Sequence, residues 1–215
     1  MVPEKIRRIK LEISEEDLLK DSERYCIMAK ELGADDARTI TTADIPIDDR
    51  VVLKCRIPKC FGYGTSAHCP PYSLKPDETR EVVNNYRRAV VIIHTVRPEV
   101  IVRDRATINE RVEAYKKIFH IVSAIESAAF YDGYYFSLGF AAGSCKSTFC
   151  YNVECTVLKG EKCRLSLRAR PSMEAVGIDC YRLATMLGWE IYPIGSDAKP
   201  HCIPHGVLMG LVLID

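Results

Sequence analysis

The sequence has no apolar run near the roughly 18–20 residues that a membrane-spanning helix requires. Its opening, Met-Val-Pro-Glu-Lys-Ile-Arg-Arg-Ile-Lys, is positive but has no apolar stretch behind it, so it does not read as a secretory signal. Charge of one sign is also missing. Thirty basic side chains meet 29 acidic ones for a net +1, which removes the electrostatic case for a general nucleic-acid or membrane-surface binder. Gly62-Tyr-Gly64-Thr-Ser lacks the lysine and spacing of a phosphate loop, and no Gly-x-Gly-x-x-Gly follows a strand. No Ser/His/Asp or Cys/His set has supporting context, so nucleophilic catalysis is not the favoured reading. Repeats, low-complexity tracts and linkers are absent too. What remains is a chain of 215 residues, 47% apolar and 27% charged, long enough to bury a core. The expectation is a cytoplasmic protein with one domain, residues 1–215.

Cysteine is what the sequence has in excess. Ten are present, at 26, 55, 60, 69, 145, 150, 155, 163, 180 and 202. Seven fall in two windows, 55–69 and 145–163, where even scatter would place fewer than two. In a reducing compartment such clustering points to metal or redox chemistry before structural disulfides.

The alternation of elements gives an α/β (or α+β) fold, a mixed sheet with packed helices and two long cysteine-bearing loops. Ser14-Glu-Glu-Asp17 opens a helix whose apolar face carries Leu18, Ser22, Tyr25, Cys26, Ala29 and Leu32, with Gly33 as its stop. Strands are expected near 37–40, at 50–54, 89–96, 134–140, 189–194 and 207–214. Asp77 is expected to cap a short helix reaching Arg88. The three- and four-residue spacing of Ile108, Val112, Tyr115, Phe119, Val122, Ile125 and Ala129 predicts a helix over 104–130. Another is expected from Pro171-Ser172 to Gly188, with Met173, Val176, Cys180, Leu183, Ala184 and Leu187 on its apolar face. Residues 55–76 and 141–170 are left as long loops. Loops of 20–30 residues are uncommon in a compact domain unless something besides regular structure orders them, and a metal or cluster would do so.

The second group reads Cys145-x4-Cys150-x4-Cys155-x7-Cys163, enough thiolates for a complete coordination sphere. Structural zinc prefers tight Cys-x2–4-Cys knuckles, and no Cys-x2-Cys pair occurs in the chain. The wider spacing suits a [4Fe–4S] cluster, whose metal corners stand apart. The first group, Cys55-x4-Cys60-x8-Cys69-Pro-Pro, has only three cysteines. A fourth ligand would come from His68, Cys26, His201, Cys202 or His205, or be absent. A vacant position is where a substrate or water binds in catalytic metal sites. Lys54, Arg56 and Lys59 flank the first group; Lys146, Lys159, Lys162, Arg164, Arg168 and Arg170 flank the second. They would balance anionic centres or be ordinary solvated loop charges. Cys26 and Cys180 read as small core hydrophobes, and Cys202, between His201 and His205, stays open. His94 and His120 read as structural.

On Cys55…Cys60-Phe-Gly-Tyr…Cys69-Pro-Pro-Tyr72, Gly143-Ser-Cys145…Cys150…Cys155…Cys163-Arg164 and Arg170-Pro-Ser-Met-Glu-Ala-Val-Gly-Ile-Asp179, the chain resembles a family of cysteine-rich prokaryotic proteins described as predicted metal-binding, with a domain of unknown function. The resemblance spans roughly residues 15–214 and implies that both groups are ligands. The expected function is therefore an iron–sulfur protein in electron transfer or reductive or sulfur chemistry, with room for an oxidoreductase at an open coordination site. Its partners would be a redox protein or a small anionic substrate, with a homo-oligomer as a further option. The alternatives are a structural zinc protein serving as an interaction module and a metal-free thiol sensor.

Overall fold

The computed structural model describes residues 6–9, 11–102, 105–195 and 197–215. Four strands, β1 (Asp36–Thr41), β2 (Arg88–Val96), β3 (Leu138–Phe140) and β4 (Gly206–Ile214), form one sheet in the order β1-β2-β4-β3. All three strand pairs are antiparallel, Val90 lying opposite Val212 at the centre. Among the described residues, parallel pairing is confined to an isolated bridge between Ala141 and Ser172.

The two central strands read as unbroken apolar runs because both their faces are covered. Val90, Ile92, Leu208 and Val212 point to one face, under α1 (Glu15–Glu31) and α5 (Ile108–Tyr131). Ala89, Val91, Met209, Leu211 and Leu213 point to the other, under Met173, Val176, Ile178 and α7 (Cys180–Met186). Ser14 caps α1 as expected, its hydroxyl accepting from the Asp17 N–H at 3.1 Å. Leu18, Ser22, Tyr25, Cys26 and Ala29 are all buried.

Several boundaries differ from the sequence reading. Residues 50–54 are not a strand; they lie in α2 (Asp49–Arg56). The β-branched preference for strands reflects fit to a half-buried pleated surface, and α2 buries none of its residues. The cap therefore decides: Asp48 accepts from the Arg50 N–H at 2.8 Å. Helix α3 (Pro76–Val83) starts one residue before Asp77, with Lys75 at the cap and its N–H donated to Glu78 at 2.7 Å. Proline at the first helical position loses no hydrogen bond there.

Residues 189–194 form no strand, because Pro193 cannot donate to a ladder and Trp189 is drawn instead to Asp36 at 2.9 Å. The helix expected from 171 to 188 is split into a 3-10 turn (Glu174–Val176) and α7. Gly177 breaks it at φ +92, packed where an added Cβ would meet Pro76 at 3.0 Å, and Asp179 then caps α7 through the Arg182 N–H. The periodic apolar positions remain buried on both sides of the break. Strand β3 occupies only the end of 134–140. The long helix starts at Ile108 after the short α4 (Pro98–Ile101) and a 3-10 turn; position 104, its expected start, lies outside the described residues.

Candidate metal centre

The first cysteine loop leaves the last turn of α2, which carries Cys55. Backbone turns closing on the cysteines order it: Cys60 N–H donates to Cys55 O at 3.0 Å, Tyr63 N–H to Cys60 O at 3.0 Å, Cys69 N–H to Ser66 O at 3.2 Å, and Tyr72 N–H to Cys69 O at 3.0 Å. The loop needs no long helix or strand because its own amides are paired this way.

The second loop is closed at its base by Ala141 N–H to Pro171 O, 2.9 Å. It contains a helical turn missing from the sequence reading, α6 (Cys145–Phe149). Ser144 caps it by accepting from the Lys146 N–H, and Lys146 Nζ donates to Cys150 O and Tyr151 O at 2.8 and 2.9 Å. Phe149 anchors the turn to the core edge-on against Phe119, ring centres 5.0 Å apart. Just before it, Gly143 stands at φ +66, and a Cβ there would lie 2.4 Å from the Tyr115 ring. Only glycine fits both demands.

Cys145, Cys150, Cys155 and Cys163 all line one small cavity of about 30 Å³, together with His68 and Arg164. The sulfurs are already provided for. Leu165 N–H points to Cys163 Sγ at 3.4 Å. Burial opposes ionisation of Cys155, yet the N–H groups of Ala67, Leu158 and Val157 and the charge of Arg164 hold its thiol below the ordinary value. Cys145 differs: burial pushes it up to about 12, with neighbouring thiols adding to the effect. The buried Ser66 hydroxyl leans toward it from the cavity wall without completing an ordinary hydrogen bond.

Cys55, Cys60 and Cys69 open on a different and much larger chamber of about 690 Å³. Burial pushes Cys55 up to about 11, with Cys60, Cys69 and Glu174 contributing in the same direction. Glu174 lines this chamber and is exposed. Cys180 lies at the same wall beside Glu174. It packs in the core as expected, and it also borders the site. Ser144, Glu174 and Cys180 are the functional-site residues that sequence spacing did not single out. The signals were that Ser144 falls within the Gly143-Ser-Cys145 segment and Glu174 within the Arg170–Asp179 segment.

The two groups share a wall. Cys69 Sγ is 3.4 Å from Ser144 Oγ, both facing the chamber, while His68 Nδ1 is 3.6 Å from Cys145 Sγ, both facing the small cavity. His68 therefore points away from the group in which it was a ligand option. Of the other options, Cys26 lies in the core under α1, His201 and Cys202 are exposed, and His205 lines the chamber.

Most of the flanking cations, including Lys54, Arg56, Lys59, Lys162 and Arg168, are exposed. Arg170 is not an ordinary solvated loop charge: it grips Glu126 of α5 through two bonds, 2.6 and 3.0 Å, and also donates to Ser166 O and Ala169 O. His94 is held by Asp35 at 2.9 Å, and His120 is exposed.

Among the described residues, no three histidine, cysteine, aspartate or glutamate side chains stand close enough to grip a single ion. The donor chemistry nevertheless fits a thiolate-ligated group: four cysteines around one cavity, amides aimed at the sulfurs, and an unsatisfied buried hydroxyl in the wall. No helix among the described residues is long and apolar enough to cross a membrane. The chain matches the family described as "Predicted metal-binding protein (DUF2284)" over residues 38–214. No curated protein and no solved structure matches the chain.

Proposed function

Because the chain belongs to this family of predicted metal-binding proteins, we propose that its metal is iron, held as a [4Fe–4S] cluster by Cys145, Cys150, Cys155 and Cys163, with a second cluster or metal at Cys55, Cys60 and Cys69. The observation that carries this reading is the convergence of all four cysteines of the second group on one small cavity. At about 30 Å³ it is far below the roughly 300–1,000 Å³ of organic-ligand pockets, so an inorganic core is the occupant of suitable size. Such a cluster supplies one-electron chemistry when bound. The chain contributes the thiols, the N–H groups at Cys155 and Cys163, and the positive charge of Arg164, all of which stabilise negative sulfur.

The three-cysteine group differs because it faces a chamber large enough for a substrate. The reading is thus an electron-transfer centre beside a reactive one, in a cytoplasmic protein served by a redox partner. Anaerobic purification with iron, sulfide and zinc analysis tests it. Iron and acid-labile sulfide with a paramagnetic reduced state are expected; a colourless protein with stoichiometric zinc would overturn it.

A further inference from the structure

We infer that the chamber beside Cys55, Cys60 and Cys69 is a binding site for a small organic molecule without negative charge, an apolar body with one hydrogen-bond-donating end, and that Glu174 fixes that end near the cysteines. This rests on the proposed reading only in taking the three cysteines as the reactive edge; the chamber itself is built of protein.

Three observations carry it. The chamber's volume, about 690 Å³, lies inside the range of small-molecule sites. Its walls are aliphatic and aromatic: Ile101, Tyr115, Tyr181, Ile191, Tyr192 and Val207 line it, giving the broad apolar contact that retains an organic body. Polar side chains stand among these walls, Ser144, Ser172, His205 and Glu174, and Glu174 is the carboxyl of the set. It faces Ser172 and Cys180 on one side and Cys55 on the other, so a ligand bonded to it is held over the cysteine group.

The charge preference follows from the same residues. An anion entering the chamber would meet Glu174 and sulfurs that turn negative on binding metal, and both repel it. An uncharged amide or a cation meets no such cost, and one hydrogen bond donated to the Glu174 carboxyl favours it over a purely apolar molecule. The small anionic substrate expected beside Arg164–Arg170 would belong to the other cavity, where Arg164 sits.

The test uses three probes of one shape and different charge: benzamide, benzoate and benzamidinium. Each is titrated calorimetrically into the full chain under anaerobic conditions, metal-loaded and metal-free. Benzamide and benzamidinium are each expected to bind one saturable site, with benzoate at least about tenfold weaker. Gly195→Phe adds a ring at the chamber lining, at a position where an added Cβ meets nothing within 4 Å; it is expected to weaken benzamide binding while iron, sulfide and melting temperature stay unchanged. Glu174→Ala is expected to weaken benzamide by about five- to tenfold, the worth of one hydrogen bond, and Glu174→Gln to restore most of it. Absence of saturable benzamide binding, benzoate binding as tightly as benzamide, or indifference to Glu174→Ala would each overturn the inference. The two readings fail separately. Benzamide binding by a protein without iron leaves the chamber standing and removes the cluster; an iron–sulfide protein that ignores benzamide does the reverse.

Discussion

Cys69 Sγ and Ser144 Oγ stand 3.4 Å apart although 75 residues separate them, and one residue along each segment His68 and Cys145 repeat the contact on the other side. The two cysteine loops are therefore joined back to back, one pair facing each cavity. Ser144 serves both sides, since its hydroxyl also caps α6 and so sets the start of the turn carrying Cys145.

Ser144→Ala removes that cap and the contact with Cys69 together. Loss of a serine cap costs about 0.5–2 kcal/mol. Denaturant unfolding should show a loss in this range, and metal should leave both groups faster on chelator challenge, whereas damage confined to one loop would affect one group alone.

Cys150→Ala should empty the second group and spare the first. In the metal-loaded protein, cysteines serving as ligands resist alkylation until a chelator frees them. Alkylation mapped by mass spectrometry should then show Cys145, Cys155 and Cys163 newly reactive in the variant, with Cys55, Cys60 and Cys69 still protected. Equal exposure of all six would mean that one centre spans both loops.

Arg170 and Glu126 are each about one-sixth exposed, at 15% and 16%, and hold the end of the second loop against α5. Removing one partner of a buried pair costs about 3–5 kcal/mol; the partial exposure here puts Arg170→Ala at about 2–3. Arg170→Lys should recover little, since an ammonium cannot make the paired bonds of the guanidinium. Thermal unfolding of the two variants compares them directly.

Gly143→Ala must place a side chain at φ +66 and 2.4 Å from the Tyr115 ring. The backbone strain alone is about 1–3 kcal/mol. The ring cannot retreat freely, being half-buried at the junction of α5 and the chamber. Lower soluble yield and lower metal content at the adjacent Cys145 group are the expected readouts.

Acid should loosen the packing of the 189 segment on β1. Partial burial of Asp36 opposes its ionisation, but Lys30, the Trp189 indole, the Ala37 N–H and Arg38 outweigh it and hold the carboxyl well below the ordinary range. A depressed folded pKa means the stabilisation is fully present above about pH 4 and is lost as pH falls through the folded value. Trp189 is the single tryptophan, so its fluorescence should report a transition below pH 4 that Asp36→Asn removes.

How much was legible in the sequence varied with the kind of signal. Buried positions were read well: Leu18 through Ala29, the runs in β2 and β4, and the stripe from Met173 to Ala184 all lie where their periodicity put them. Burial is written in hydrophobic spacing, and spacing survives even where Gly177 breaks the helix that carries it. Local conformation at 50–54 and 189–194 was misread, because β-branched and aromatic residues acquire strand geometry only beside a partner strand. A one-residue cap at Asp48 and a proline at 193 decided these segments instead.

The missing Cys-x2-Cys pairs, the balanced charge and the concentration of seven cysteines in two stretches of chain are properties of the sequence alone. Spacing along the chain could not say which way neighbouring side chains face. His68 and Cys69 part to opposite cavities, and Cys180, placed in the core by its helical register, also borders the chamber with Glu174. Those are relations between segments far apart in sequence, set by how the loops pack on the sheet and on each other, so only the tertiary structure decided them.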